Sequence, residues 1–346
     1  ILILLVLFFF DIRRGWKFPY YQDVWLFFVF VFVFVVFVSV FDSIYLNYLV
    51  KISVIFICML VYSGLLMREE AESTLVRVLF FYSIFHFSVF YLQFVLSNFF
   101  GYYLDIDSMI REQATASLHE TKALDMLWFK SRGGGVFSEP SFYAMAVSPA
   151  VLFYTVLKER IDAVSILGFG SVLLSFSIAA MGVLFVIYLL LFVQGVVSRK
   201  QLIVAILASS FLWPSLYQVY DLRVNQAVDY DPVESRSYIF DELSARSFGD
   251  SVFGVGFIWN DDDVPGDIML TGAEIRDSSF YPYLLFCSGF FGFFVFFAFI
   301  SIFFRKDFRV LVFLLAIFLF KFHFVNATLW MALLFAVLSQ KVRLQR

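Results

Sequence analysis

Long, uninterrupted apolar runs are the feature that most constrains how this chain can fold. Residues 24–41 read VWLFFVFVFVFVVFVSVF and contain no charged side chain. A helix needs about 20 apolar residues to cross a bilayer core about 30 Å thick, and runs of that length recur along the sequence. Of the 346 residues, 62% are hydrophobic and only 15% are charged, whereas soluble domains carry about 25% charged residues. The sequence therefore predicts an all-α polytopic membrane protein.

Eleven apolar runs predict about eleven transmembrane helices. The first, residues 1–10, is too short to span a membrane; because the chain starts at Ile1 without a methionine, we expect the end of a truncated helix, not a cleaved signal. The other predicted spans are 24–41, 48–67, 76–100, 140–157, 162–179, 181–197, 201–219, 280–304, 309–325 and 327–339. The chain as a whole, residues 1–346, is predicted to form a single integral membrane domain.

The charges of the loops predict the orientation of these helices. The short loops and the tail are basic, with the sequences DIRRGWK, KER, SRK, RKDFR and KVRLQR. Short basic loops mark the cytoplasmic side of a membrane, and eleven alternating spans place all of these segments on one side. Two long polar segments, 105–139 and 220–279, then both lie on the extracytoplasmic face as long loops.

The first long loop ends in a dense polar cluster, KSRGGGVFSEPSFYAMA, at residues 130–146. Arg132 supplies a planar, always-charged donor suited to phosphate. Consecutive glycines can turn their N–H groups toward one anion, and the three that follow are Gly133, Gly134 and Gly135. Ser138 is the predicted N-cap of a helix that starts with Glu139 and Pro140. Two interpretations stay open: a flexible loop before a capped helix, or an anion site at the mouth of a membrane cavity.

The second long loop contains four arginines and no lysine: Arg223, Arg236, Arg246 and Arg276. Guanidinium groups suit forked recognition of phosphate, and salt bridges to the many nearby carboxylates are the open alternative. Within this loop, SRSYIFDELSARSF predicts a short amphipathic helix. The sequence GDSVFGVGF predicts a turn followed by a glycine-rich extended piece. Residues 261–263 are three aspartates that we interpret as a solvated turn in preference to a cation site.

Few ionisable residues fall within the predicted spans. Lys321 and His323 lie near the outer end of one run, where a lysine can reach the interface, and His86 is interpreted as a hydrogen-bonded packing residue. Both cysteines, Cys58 and Cys287, lie in apolar runs, so neither a disulfide framework nor a metal site is predicted. The sequence lacks a P-loop, a dinucleotide fingerprint, HExxH and GxSxG, which excludes a cytoplasmic ATPase within this chain.

One of these segments resembles the motif of a known family. Residues 132–146, RGGGVFSEPSFYAMA, resemble the arginine, glycine and F-S-E-P-S-F-x-A signature of bacterial polysaccharide polymerases of the Wzy type. Weaker similarities follow in the expected order in LLSFSIAAMGVLFVIYLLL (173–191), ESRSYIFDELSARSFGDSVFGVGF (234–257) and DSSFYPYLLFCSGFFGFFVF (277–296). The O-antigen ligase family shares this layout, but its usual second-loop histidine is absent here.

The resemblance implies a GT-C-like polymerase/ligase architecture and a glycosyltransferase reaction on the periplasmic or extracellular face of a bacterial cytoplasmic membrane. Donor and acceptor are then glycans on undecaprenyl diphosphate, and the product is O-antigen, capsule or exopolysaccharide. Membrane lipid and a chain-length regulator are the further partners that it implies. It implies no nucleic acid, no cofactor and no metal.

The resemblance also assigns roles to individual residues. Stabilising the charge of the leaving diphosphate can supply most of the catalysis, and the residues assigned to it are Arg132 and Arg236, then Arg246 and Arg276. Glu139 is assigned as a general base or as the group that orients the acceptor hydroxyl; a structural role beside Arg132 is the open alternative. Further substrate-binding positions are Gly133, Gly134, Gly135, Ser138 and Lys321.

Two other functions stay open besides polymerisation. One is a ligase that moves finished glycan to another acceptor, and the other is a transporter or flippase for lipid-linked oligosaccharide. A transporter is expected to carry ionisable residues or broken helices near the bilayer midplane, and often internal repeats. The predicted spans are nearly free of charge and no repeat is evident, which favours chemistry at the membrane surface.

Overall fold

The computed structural model of the protein describes residues 22–40, 44–66, 71–106, 129, 131–221, 234–260 and 272–346. Throughout these residues the regular structure is helical, and they form no strand. The predicted partial span 1–10 and the three aspartates 261–263 lie outside the described residues.

Thirteen helices are present in the described ranges. In chain order they are α1 (Gln22–Ser39), α2 (Leu46–Leu66), α3 (Ala71–Phe100), α4 (Pro140–Lys158), α5 (Ala163–Leu174), α6 (Ile178–Val193), α7 (Arg199–Tyr220), α8 (Glu234–Ala245), α9 (Phe248–Phe253), α10 (Gly272–Asp277), α11 (Phe280–Phe304), α12 (Phe308–Ile317) and α13 (Ala327–Gln345).

Six of these helices, α1, α2, α3, α4, α11 and α13, are long and apolar enough to cross a membrane. Each coincides with a predicted span, which agrees with an all-α polytopic membrane protein. The predicted total of about eleven is not reached in the described part of the chain. Helices α5, α6 and α12 are apolar but have only 12, 16 and 10 residues. Helix α7 has 22 residues, but serine, proline and glutamine interrupt its apolar sequence.

Irregular backbone interrupts the predicted spans 162–179 and 309–325. The run 162–179 breaks after α5, where buried Phe176 adopts a positive φ of 51° that a helix does not tolerate. The run 309–325 is helical only as far as Ile317. Beyond it, the carbonyls of Phe318 and Phe320 accept the N–H of Phe280, at 3.2 and 3.0 Å, and so pair the first donor of α11.

The chain divides into two compact units, which are described separately. Unit 1 comprises Ile1–Leu75 and Ser235–Arg346, and unit 2 comprises Val76–Glu234. The first predicted long loop belongs to unit 2, and most of the second belongs to unit 1. The single integral membrane domain stays a prediction.

A break inside α11 organises unit 1. Gly289 has φ 60° and ψ −174°, so the helical hydrogen-bond ladder is interrupted there. The N–H of Gly256 donates to the carbonyl of Cys287 at 2.8 Å, and Arg246 Nη1 donates to the carbonyl of Phe286 at 2.7 Å. Water is not available to pair with carbonyl groups in an apolar interior. These two protein donors therefore take the place of the helical N–H groups that the break removes.

Glycine residues permit this close approach of two backbones. Gly254 and Gly289 both have positive φ, of 74° and 60°. A Cβ atom on Gly254 would overlap the backbone of Cys287, and one on Gly289 would overlap the backbone of Val252. Any larger residue at either position would therefore push helix α9 away from α11.

The second long loop is more regular than its sequence suggests. The predicted helix in SRSYIFDELSARSF is confirmed as α8. The predicted turn at GDSVF is wrong, because residues 248–253 form α9. Ser247 Oγ accepts the N–H of Asp250 at 3.2 Å and donates to its carboxylate at 2.8 Å, which caps this short helix. Residues 254–259, which follow, are not helical and are mostly buried.

Two polar contacts of unit 1 lie at opposite ends of α1. At its start, Asp23 pairs with Lys341 of α13. At its end, Ser39 Oγ accepts the N–H of Phe257 at 2.9 Å. The two contacts are separated by the length of the helix, about 27 Å for its 18 residues. Within unit 1 the basic tail and the second long loop thus lie at different ends, as the loop charges predict.

Replacing Gly254 with alanine is expected to lower the free energy of unfolding by about 1–3 kcal/mol, because the new Cβ meets backbone and φ stays positive. Thermal unfolding of the purified protein in detergent measures this. Gly249→Ala, in α9 itself, is the matched control, since its Cβ finds nothing nearer than 3.7 Å. Equal stability of the two variants would contradict the packing described for Gly254.

Candidate functional site

The glycine cluster of the first loop is closed by a side chain from α3. Gln93 Oε1 accepts the N–H groups of Gly134 and Gly135, both at 2.9 Å. Gln93 Nε2 donates to the carbonyl of Leu104 at 2.7 Å, and Gln93 is only 1% exposed. Two of the predicted anion-binding N–H groups thus already bind an amide oxygen of the protein, and an anion there would first have to displace Gln93.

Arg132 is anchored beside this cluster. The preceding residue, Ser131, donates its N–H to Asn98 Oδ1 at 3.1 Å, and its hydroxyl is hydrogen-bonded to that of Ser97. A Cβ on the following residue, Gly133, would lie 2.6 Å from the ring of Phe90. Arg132 itself is only 2% exposed. Its position is therefore set by the backbone on both sides of it, within unit 2.

Glu139, and not Ser138, is the N-cap of α4. Glu139 has φ −130° and ψ 148°, because a residue before proline is confined to extended backbone. The predicted cap at Ser138 is wrong for this reason, and Ser138 is buried instead. The half-buried carboxylate of Glu139 accepts a hydrogen bond from Ser141 Oγ at 2.8 Å, which orients it in the first turn of the helix.

His86 lies close to the first loop and is a packing residue, as predicted. Its ring lies 4.3 Å from that of Tyr82 and is stacked at 5.4 Å on that of Phe137. The predicted hydrogen bond is missing at one nitrogen, since buried Nδ1 has no hydrogen-bond partner in the described part of the chain.

In unit 1, Arg276 lies between two aromatic rings. Its guanidinium carbon is 4.4 Å from the ring centroid of Trp259 and 4.7 Å from that of Tyr48. One Nη donates to the Tyr48 hydroxyl and the other to the Trp259 carbonyl, each at 3.3 Å. Arg276 is 8% exposed. A lysine ammonium cannot reproduce this planar stacking with forked hydrogen bonds.

Two lysines lie close to Arg276 in unit 1. Lys51 Nζ is 5.9 Å from the ring centroid of Tyr48, the ring against which the Arg276 guanidinium also lies. Lys321 forms an ion pair with Asp277 at 2.9 Å. The segment after α12 and the start of α2 thus bring their cations to Arg276.

Arg246 donates a hydrogen bond to a carbonyl group at the break in α11. Its guanidinium carbon lies 3.6 Å from the ring centroid of Phe286, and Nε pairs with Glu242 at 3.3 Å. The side chain is 3% exposed, and Nη2 has no hydrogen-bond partner among the described residues.

The predicted site residues therefore fall into two sets. Arg132, the three glycines, Ser138 and Glu139 belong to unit 2, whereas Arg246, Arg276 and Lys321 belong to unit 1. Arg236 lies on α8, and its side chain is outside the described residues. In the described ranges no group of three or more His, Cys, Asp or Glu residues is placed to hold a metal ion.

Three further residues were not singled out as site residues from the sequence. They are Gln93, Tyr48 and Lys51. Gln93 carried a signal, because a glutamine inside an apolar span needs hydrogen-bond partners from another segment. Tyr48 and Lys51 gave none, because only the fold brings the start of α2 to the second long loop.

No family model, no curated protein and no solved structure matches this chain. The resemblance to Wzy-type polymerases therefore rests on its sequence motifs.

Replacing Gln93 with leucine is expected to destabilise the protein by about 1–3 kcal/mol for each buried N–H group that loses its acceptor. Thermal unfolding in detergent measures the loss. Ser83→Ala is the control on the same helix, because the buried Ser83 hydroxyl has no partner in the described residues. If Gln93→Leu were as stable as Ser83→Ala, the glycine N–H groups would have another acceptor.

Replacing Arg246 with methionine is expected to lower the stability by about 2 kcal/mol, because the Phe286 carbonyl loses a charged donor while much of the apolar packing is kept. The unfolding temperature is again the measurement. Arg309→Met is the matched control, since Arg309 is exposed. An unfolding temperature equal to that of the control would show that Arg246 does not support the break.

Proposed function

We propose that the protein is a membrane glycosyltransferase that polymerises undecaprenyl-diphosphate-linked oligosaccharide repeat units. The product is O-antigen, capsule or exopolysaccharide, made on the outer face of a bacterial cytoplasmic membrane. The observation that carries the proposal is the group formed by Arg276, Lys51 and Lys321, hereafter the cation cluster: Arg276 and Lys51 both lie against the Tyr48 ring, and Lys321 pairs with Asp277, the residue after Arg276. It lies in unit 1 at the end of the helices away from the basic tail.

The chemistry of polymerisation suits such a cluster. The acceptor hydroxyl oxygen forms a bond to the anomeric carbon of the donor, and the bond from that carbon to the diphosphate oxygen breaks. The hydroxyl proton goes to a base, and the diphosphate leaves with the electron pair. Cations that are already fixed in place stabilise the departing charge without reorganisation. Arg276, stacked between two rings, meets that requirement better than a mobile surface arginine.

The resemblance assigns the candidate base to Glu139, which belongs to unit 2. The Glu139 carboxylate is held by Ser141 in the first turn of α4, which suits a group that accepts a proton or orients the acceptor hydroxyl. Arg132 keeps its assignment to the diphosphate charge. The engaged N–H groups of Gly134 and Gly135 favour a role for the glycines in shaping the loop over direct substrate contact.

The proposal includes the finer architecture that the motifs imply. It comprises about eleven spans, both long loops on the outer face and a GT-C-like fold. It also includes a chain-length regulator as a partner.

Transport of the same lipid-linked oligosaccharide is the second candidate, and the break in α11 favours it. Discontinuous spanning helices are common at transporter substrate sites, and the apolar run 280–304 gave no sign of one. Here, however, Arg246 and the N–H of Gly256 donate hydrogen bonds to the carbonyls that the break exposes. A break filled by protein groups is a weaker argument for a transport site than an open one, so polymerisation ranks first.

An assay with purified protein in liposomes separates these functions. Undecaprenyl-diphosphate-linked repeat units are added, and the products are resolved by size. A ladder of lengthening products supports the polymerase. Single transfer to a different acceptor indicates a ligase, and movement of the lipid across the bilayer without new bonds indicates a transporter. Either of the last two results would overturn the proposal.

Arg276→Lys is expected to slow chain extension by about tenfold or more, a loss of about 1.4 kcal/mol in transition-state stabilisation, because an ammonium does not replace the stacked fork. The initial rate of ladder formation measures this, with equal amounts of each protein and with thermal unfolding to check that each variant is folded. Arg309→Lys, at an exposed arginine outside the cation cluster, is the control. Unchanged extension by Arg276→Lys would contradict the role assigned to Arg276. Full-length polymer in cells carrying Arg132→Ala or Arg236→Ala would contradict the roles assigned to those two arginines.

A further inference from the structure

Unit 1 contains a groove at the basic end of its helices, away from the cation cluster. The groove lies between α1, α11 and α13 and encloses about 290 Å³. Its apolar lining includes Leu26, Phe27, Phe299 and Ile302. Leu26 and Ile302 are each 64% exposed, so the groove is open along a surface that a spanning helix presents to lipid.

The mouth of this groove is lined by cations. Arg305 and Lys306 follow the last residue of α11, and Lys341 reaches the groove from α13. Arg305 and Lys306 are exposed. They lie where the spanning helix α11 ends, the level at which a lipid carries its phosphate.

The nearby carboxylates do not neutralise Arg305 and Lys306. Asp23, the one acidic residue in the lining, pairs with Lys341. Asp307, the next residue along the chain, accepts a hydrogen bond from Arg343 at 2.8 Å and also caps α12. Neither Arg305 nor Lys306 forms an ion pair with any described residue. Among the described residues, the groove thus presents two cations without an acidic partner beside an aromatic and aliphatic surface.

We infer that this groove is a binding site for an anionic phospholipid of the surrounding membrane. The phosphate lies against Arg305 and Lys306, and one acyl chain lies over Phe27, Phe299 and Ile302. A zwitterionic lipid fits less well, because its ammonium meets the same cations. Free phosphate would use the mouth of the groove and leave its apolar lining uncovered. The inference rests on the groove alone and is independent of the proposed reaction.

Native mass spectrometry of the full chain, released from nanodiscs of phosphatidylcholine or of equal parts phosphatidylcholine and phosphatidylglycerol, tests the site. Wild type is expected to retain phosphatidylglycerol and not phosphatidylcholine. The double variant R305A/K306A is expected to retain it at least tenfold less.

The matched control is R199A/K200A, which removes an exposed Arg–Lys pair at the start of α7, outside this groove. Equal loss of phosphatidylglycerol in the two double variants would show general charge attraction and overturn the site. L26W keeps all the cations and fills the groove, so it is expected to lose the lipid as well. If L26W retains phosphatidylglycerol, or if inorganic phosphate displaces the lipid from wild type, the groove does not bind the acyl chain and the inference fails.

Discussion

The hydrogen bonds that close the break in α11 support the rest of unit 1. Carbonyl groups left without donors in an apolar interior cost free energy, and here Arg246 and the N–H of Gly256 supply those donors. Because Gly256 is held there, the buried chain through Trp259 is held too, and Trp259 forms one wall of the Arg276 site. The cation cluster proposed to bind diphosphate therefore depends on a backbone contact made elsewhere.

Glycines act similarly in both units. In unit 1, Gly254 and Gly289 let two backbones touch. In unit 2, Gly134 and Gly135 present their N–H groups to a buried glutamine. The cluster in unit 2 was a candidate anion cradle in the sequence, and in the fold its N–H groups bind Gln93 instead. We therefore propose that the glycines shape the backbone, and that Arg132 in unit 2 and Arg276 in unit 1 bind the substrate.

The elements were predicted to different degrees for physical reasons. All ten complete apolar runs contain a helix, since continuous apolar sequence has few other ways to satisfy its backbone in lipid. Their lengths were less predictable. An apolar run looks the same whether it continues or breaks, and the breaks at Phe176 and Gly289 depend on what packs against them. The cap at Glu139 was within reach of the sequence, because the following proline already excludes a helical conformation there.

The sequence by itself determined the membrane class, the helical character and, within unit 1, the separation of the basic tail from the second long loop. Those properties follow from composition and charge, which act on each segment independently. Only the tertiary structure decided which polar groups satisfy one another: Gln93 with the glycines, Arg246 with the α11 break, and Arg276 with Tyr48 and Trp259. Such pairings join segments far apart in the chain, and their partners are chosen by three-dimensional packing, which no local pattern of residues records.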